Sequence, residues 1–125
     1  FASLTEFRLT NRRRVDVMAL GPDGSVVIIE VKSTVEDFRG DGKWPDYLPY
    51  CEQFYFAVPR DFPVHILPDD CGLMVADGFG AVIRREPPMR KLNGTRKHHQ
   101  LLRFAQIAGA RLQALRDPAA DTNLL

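Results

Sequence analysis

The stretch that most constrains this chain is a hairpin signal between Arg14 and Lys32. It reads RVDVMAL, then GPDGS, then VVIIEVK. In the loop Pro22-Asp23-Gly24, Pro comes first, Asp second and Gly third. That order suits a three-residue hairpin loop closed by a left-handed Gly. The loop pairs Gly21 with Ser25, and the register follows by counting outward. Val17 falls opposite Ile29, Asp16 opposite Glu30, and Arg14 opposite Lys32. Residues directly opposite share a sheet face. One face carries Val15, Val17, Ala19, Val27, Ile29 and Val31, all apolar. The other carries Met18, Leu20, Val26 and Ile28 near the turn, then Asp16, Glu30 and Lys32.

That second face poses a physical problem. Two carboxylates directly opposite on adjacent strands repel each other. A divalent cation between them reverses the sign, and carboxylate oxygens are hard ligands suited to Mg²⁺ or Mn²⁺. Lys32 lies two residues beyond Glu30 and projects from the same face. Asp, Glu and Lys around a metal make a phosphodiester-cleaving site: the metal activates water, and the Lys orients it or stabilises developing charge. A surface ion-pair cluster is the competing reading of the same three residues.

Asp16 followed by Glu30-Val31-Lys32 across a hairpin loop resembles the PD-(D/E)xK nuclease superfamily, the restriction-endonuclease-like fold. The "PD" slot is Val15-Asp16 here. The resemblance implies that Asp16, Glu30 and Lys32 are catalytic, and that Asp16, Glu30 and the Val31 carbonyl bind Mg²⁺ or Mn²⁺. A longer likeness runs through IIEVKSTVEDFRGDGKWPDYLPYCEQFYFAVP, LPDDCGLMVADGFGAVIRR and RRRVDVMAL. Over roughly residues 4 to 115 the chain is similar to the MmcB-like bacterial DNA repair family, for which endonuclease activity is implied. The superfamily pattern also implies a further acidic residue on an N-terminal helix. The chain begins with Phe1 rather than Met, so that helix is expected to lie upstream of this sequence.

At 125 residues the chain is one domain by length. The expected boundaries are a single domain over 1–116 and a frayed tail over 117–125. The net charge of +1 excludes a uniformly basic nucleic-acid binder. Charge is local instead, in Arg12-Arg13-Arg14, Arg84-Arg85, and Arg90 to Lys97, and any DNA contact comes from such patches. Cys51 and Cys71 form no disulfide framework or metal-binding spacing and read as buried free thiols. No membrane span or signal peptide is visible, and a cytoplasmic protein is expected.

Residues 3 to 10 read as a first strand. Glu6 within it is a solvated strand residue or, less simply, a site carboxylate. Residues 33 to 51 contain Gly40, Gly42, Pro45 and Pro49 and exclude a long helix. They read as a loop followed by a short helix over 45–51. A long loop beside a candidate site is more often functional than idle. In one reading, Trp44 and Tyr47 stack on an unpaired base while Arg39 and Lys43 hold phosphates, with Arg14 contacting the backbone. In the other, Trp44 anchors the loop to the core. Asp37 and Asp41 suit capping and turn roles, with metal binding as the alternative. Gln53 could stand in for a Gln motif of related nucleases, but it falls at a strand start.

Residues 53–58 form an internal strand that Pro59 ends. Residues 60–71 are a connector, with His65 structural. Residues 72–86 form a second hairpin around Gly78-Phe79-Gly80. Thr95 is the expected N-cap of a last helix from Arg96 to Leu115, with Leu101, Phe104, Ala105, Ala108, Leu112 and Leu115 as a core-facing stripe.

The expected fold is α/β: a mixed central sheet flanked by helices, as in restriction-endonuclease-like proteins. The expected function is a metal-dependent DNA endonuclease in DNA repair, with DNA and other repair proteins as partners. A non-cleaving DNA- or partner-binding module and a purely structural, ion-paired surface are the rivals.

Overall fold

The computed structural model describes residues 1–117. Phe1 to Leu20 supply β1 (Ala2–Arg8) and β2 (Arg14–Leu20), and β3 spans Val26–Val31. After α1 (Val35–Arg39) and a 3-10 segment (Trp44–Tyr50) comes β4, Gln53–Pro59. A short 3-10 turn, Val64–Ile66, leads to β5 (Gly72–Asp77), β6 (Gly80–Arg85) and α2 (Gly94–Arg116). Among the described residues the strands form one six-stranded sheet in sequence order. The β1–β2, β2–β3 and β5–β6 pairs are antiparallel, and the β3–β4 and β4–β5 pairs are parallel. This is the expected mixed α/β sheet flanked by helices. The tail over 117–125 lies, beyond Asp117, outside the described residues.

The hairpin forms in the expected register. Gly21 N donates to Ser25 O at 2.9 Å, Gly24 takes φ +82°, and Val17 pairs with Ile29. Only glycine occupies that backbone region without a steric cost. Asp23 caps the loop by accepting from the Ser25 backbone N–H and hydroxyl.

The main core lies on one face of the sheet. Met18, Val26, Ile28, Phe54, Phe56 and Val58 face Tyr47, Phe104 and the partly buried Phe38, Trp44 and Leu101. A smaller cluster on the opposite face contains Ala19, Val27, Tyr55, Ala57 and Met74, with Ile29 packed against it. β3 and β4 therefore bury both faces, which is why they read as continuous apolar runs.

Strict alternation fails in β1 and β2. Val15 was expected beside Val17 and Ala19, but it packs in the main core with Met18. Phe7 and Leu4 of β1 show the same switch of parity. The cause is a break in both strands: Glu6 takes φ +50°, and the β1–β2 ladder passes from Thr5↔Val17 to Phe7↔Val15 without a Glu6–Asp16 rung. Val31, also expected on an apolar face, is 48% exposed.

The other corrections concern helices. Residues 35–39, expected as loop, form α1. The Thr34 hydroxyl accepts from Asp37 N, and Glu36 and Asp37 occupy the first turn, where the helix dipole favours acid. The Gly and Pro residues excluded only a long helix. The N-cap of α2 is Asn93 rather than Thr95, its side chain accepting from Arg96 N at 3.1 Å. The α2 stripe is also shorter than expected. Gln100 and Phe104 are buried, with Leu101 and Ile107 packed beside them, while Leu112 and Leu115 are exposed. A helix of 23 residues spans about 34 Å, whereas a seven-residue strand spans about 23 Å. Arg111 still reaches the Glu6 carbonyl of the edge strand β1, and Leu112 and Leu115 beyond it face solvent.

Candidate functional site

The β2–β3 ladder runs from Leu20↔Val26 to Val17↔Ile29 and stops. The next rung would join Asp16 and Glu30. Two side chains replace it. Asp16 N donates to Glu30 Oε1 at 3.0 Å, and Val31 N donates to Asp16 Oδ2 at 2.9 Å. Each carboxylate thus satisfies a backbone N–H on the opposite strand. This reciprocal exchange holds the two acids together despite their like charge, and each keeps a second oxygen. The Arg14–Lys32 rung expected from the count lies beyond the end of the ladder, and Arg14 instead pairs with Arg8 of β1.

Glu30 is 4% exposed, and Asp16 is exposed. Burial pushes the Glu30 carboxyl up to about 7, and the negative charge of Asp16 adds to the rise. The Asp16 backbone N–H and the Lys32 ammonium act in the other direction. The Glu30 carboxyl therefore holds a proton up to near neutrality, and a cation bound there would displace it to solvent.

Lys32 is also buried, at 6% exposed. Its Nζ lies 2.7 Å from Asp41 Oδ2. Burial alone would lower the Lys32 ammonium, but the hydrogen bond and charge of Asp41 outweigh it and leave the group raised. Burial would raise Asp41, but Lys32 and the Lys43 N–H hold it below the usual carboxylate range. Asp41 thus both closes a turn, accepting from Lys43 N at 2.7 Å, and neutralises the candidate catalytic lysine. The sequence suggested the turn role. The ion pair depends on how the loop folds back, which no spacing encodes.

The same loop places both of its aromatics against the core. The Trp44 ring packs against Phe54 and Phe56 at centroid distances of 5.7 and 5.2 Å. It anchors the loop to the core. Tyr47 is 5% exposed, so its ring is not free to stack on a base. Burial, reinforced by the charges of Glu30, Asp41 and Asp16, pushes its hydroxyl up to about 12. Tyr47 thus belongs to the main core, close enough to feel the charges of the acidic site. Arg39 and Lys43 remain exposed on the loop. Asp37 accepts from Ser33 N at 3.1 Å beside its place in the first turn of α1. Glu52, outside every expected site, accepts from Val26 N and pairs with Lys97 at 2.8 Å.

The donor set can be compared with what a hard divalent cation needs. Asp16 and Glu30 supply two carboxylates and Val31 a carbonyl, all oxygen donors of the right class. Among the described residues no group of three or more His, Cys, Asp or Glu side chains is placed to hold a metal. A cation here would rest on two acids, one carbonyl and water, a set that suits Mg²⁺, which keeps several waters.

The sequence profile described as DNA repair protein MmcB-like matches residues 1–119. The chain belongs to the MmcB-like family. That family description points to a role in DNA repair, with DNA as the interacting molecule. A solved structure, a protein of unknown function from Silicibacter pomeroyi, is similar at 42% identity with a TM-score of 0.92. The match covers 98% of this chain and 84% of that one. A search of curated proteins found no match. No helix among the described residues of this MmcB-like chain is long and apolar enough to cross a membrane.

Proposed function

We propose that this MmcB-like protein is a metal-dependent DNA endonuclease acting in bacterial DNA repair, with a site of the PD-(D/E)xK type. One observation carries the reading. Asp16, Glu30 and Lys32 meet at the point where the β2–β3 ladder ends, with the two acids bonded across the strands and the lysine buried beside them. A fold gains little stability from burying a glutamate and a lysine there, and such groups are more often kept for chemistry.

Asp16, Glu30 and the Val31 carbonyl would hold Mg²⁺ or Mn²⁺. A divalent cation so held lowers the pKa of bound water and offsets charge on the phosphate. Lys32 holds a proton at Nζ and presents it toward the scissile phosphate or the attacking water. Asp41 fixes the lysine's position, and Trp44 and Tyr47 pin the loop that carries Asp41 to the core. The phosphodiester is the substrate group, and the hydrolysis consumes one water.

One observation favours a second reading, a DNA-binding module that does not cut. Lys32 is already neutralised by Asp41 at 2.7 Å. For catalysis that pair must loosen when phosphate arrives.

Labelled single-stranded, duplex and branched DNA would be incubated with Mg²⁺, Mn²⁺ or EDTA, beside Asp16→Asn and Lys32→Ala variants. Cleavage that requires metal and vanishes in both folded variants supports the nuclease. Absence of cleavage on every substrate, with DNA still bound, leaves the binding module.

A further inference from the structure

A groove of about 280 Å³ lies between the edge strand β1, β2 and α2. Arg8, Arg14, Arg103 and Arg111 line it, with Glu6 and Ile107. Four arginines and one glutamate are thus among the residues lining this space, in a chain whose net charge is only +1. Among the described residues none of the four arginines has an acidic side chain within ion-pair distance.

Their arrangement is costly unless an anion is present. Arg8 and Arg14 are direct cross-strand partners. Like charges at such positions destabilise a strand pair. Neither side chain makes a hydrogen bond within the described residues. Arg103 Nη2 donates to the Arg8 backbone carbonyl at 2.8 Å, and its guanidinium sits 5.6 Å from the Phe7 ring centre. Its Nε is buried with no partner. Arg111 Nη2 reaches the Glu6 carbonyl at 3.4 Å. α2 thus fixes two guanidiniums beside the repelling pair rather than relieving it.

The groove adjoins the candidate site. Arg8–Arg14 is the second rung from the broken Glu6–Asp16 position, and Arg14 stands two residues before Asp16. An anion spanning this distance is extended and multiply charged. We infer that the Arg8–Arg14–Arg103–Arg111 groove is a track for the phosphate backbone of DNA, leading a strand toward Asp16 and Glu30. Guanidiniums match phosphate geometry through paired N–H donors. The inference rests on the DNA reading above but not on cleavage.

The test measures binding alone. Fluorescein-labelled single-stranded and duplex DNA would be titrated with the full chain in EDTA, by anisotropy, across a salt series. The variants are an Arg8→Gln/Arg14→Gln double change and Arg111→Gln, with Arg60→Gln, an exposed arginine outside the groove and the basic patches, as control. The double variant should bind at least tenfold more weakly. The slope of log affinity against log salt should fall by about 1–2, since each phosphate contact contributes about 0.9. Arg111→Gln should weaken binding in the same direction, and Arg60→Gln should not. A folded double variant with unchanged affinity and slope overturns the track, as does a wild-type chain that binds neither DNA. Displacement of DNA by millimolar inorganic phosphate at constant ionic strength also overturns it and assigns the groove to a small anion. Loss of cleavage alone, with groove-dependent binding intact, counts against the nuclease and leaves the track standing.

Discussion

Lys32 Nζ and Asp41 Oδ2 are 2.7 Å apart, both side chains nearly excluded from solvent. The pair joins the end of β3 to the loop after α1, and it fixes the charge state of the site. Replacing Asp41 by Asn leaves a buried ammonium without its counter-charge. Asp41→Asn should lose roughly 2–3 kcal/mol of stability, the cost of leaving a buried charged group unsatisfied. It should also lower the Lys32 pKa. Urea unfolding checks the first outcome, and lysine side-chain NMR titration the second. An unchanged urea midpoint would show that the pair is held loosely.

Glu30 gives the site its pH dependence. Its carboxyl rises from an ordinary 4.5 to about 7 in the folded protein, chiefly through burial. Between those values the folded chain binds a proton that the unfolded chain has released. In the metal-free protein this contribution is full below about pH 4.5 and is lost as pH rises through about 7. Urea midpoints between pH 5 and 8 should therefore fall more steeply in the wild type than in Glu30→Gln. With Mn²⁺ present the trend reverses, because binding a cation requires the ionised carboxylate. Apparent Mn²⁺ affinity, read by calorimetry, should climb through pH 7 and level off above it. A flat affinity would remove Glu30 from the ligand set.

Much of this site was legible in the sequence because hairpins count well. The loop Pro22-Asp23-Gly24 specifies its own register, and Val17 opposite Ile29 follows from it. That count alone brings Asp16 to Glu30 and sets Lys32 beside them. The parity switch at Glu6 and Asp16 was not legible. It depends on a left-handed residue that is not Gly, and a local break of this kind leaves no mark on composition. Asp41 was named for a turn, with metal binding as the alternative, but not for an ion pair, since the folded loop, not its spacing, carries it to Lys32. The apolar stripe of α2 was overextended because periodicity does not say where the underlying sheet ends. Leu112 and Leu115 fit the period and face solvent.

Asp16 also has a structural duty. Its Oδ2 accepts from Val31 N where the strand ladder has ended. Asp16→Ala removes that acceptor and should cost about 1 kcal/mol, the usual net worth of one hydrogen bond. Asp16→Asn keeps an acceptor oxygen and should stay within a few tenths of wild type. Only the difference between these two variants separates a folding loss from a loss of metal or activity. Equal stability of both, by thermal melting, would mean that water replaces the carboxylate at Val31.

Trp44 offers the sharpest distinction between the two early readings of the loop. Its ring contacts Phe54 and Phe56, and it is the chain's one tryptophan. Trp44→Ala opens space beside the central strand and should cost about 3 kcal/mol, toward the low end for aromatic truncation because the ring is only partly buried. Trp44→Phe retains an aromatic packing partner and should lose much less. Intrinsic fluorescence of the wild type needs no added label and should report a partly shielded indole. DNA added in EDTA should leave that emission nearly unchanged, since the ring faces Phe54 and Phe56. Strong quenching by single-stranded DNA, with a matching loss of affinity in a stable Trp44→Phe variant, would reinstate the base-stacking role.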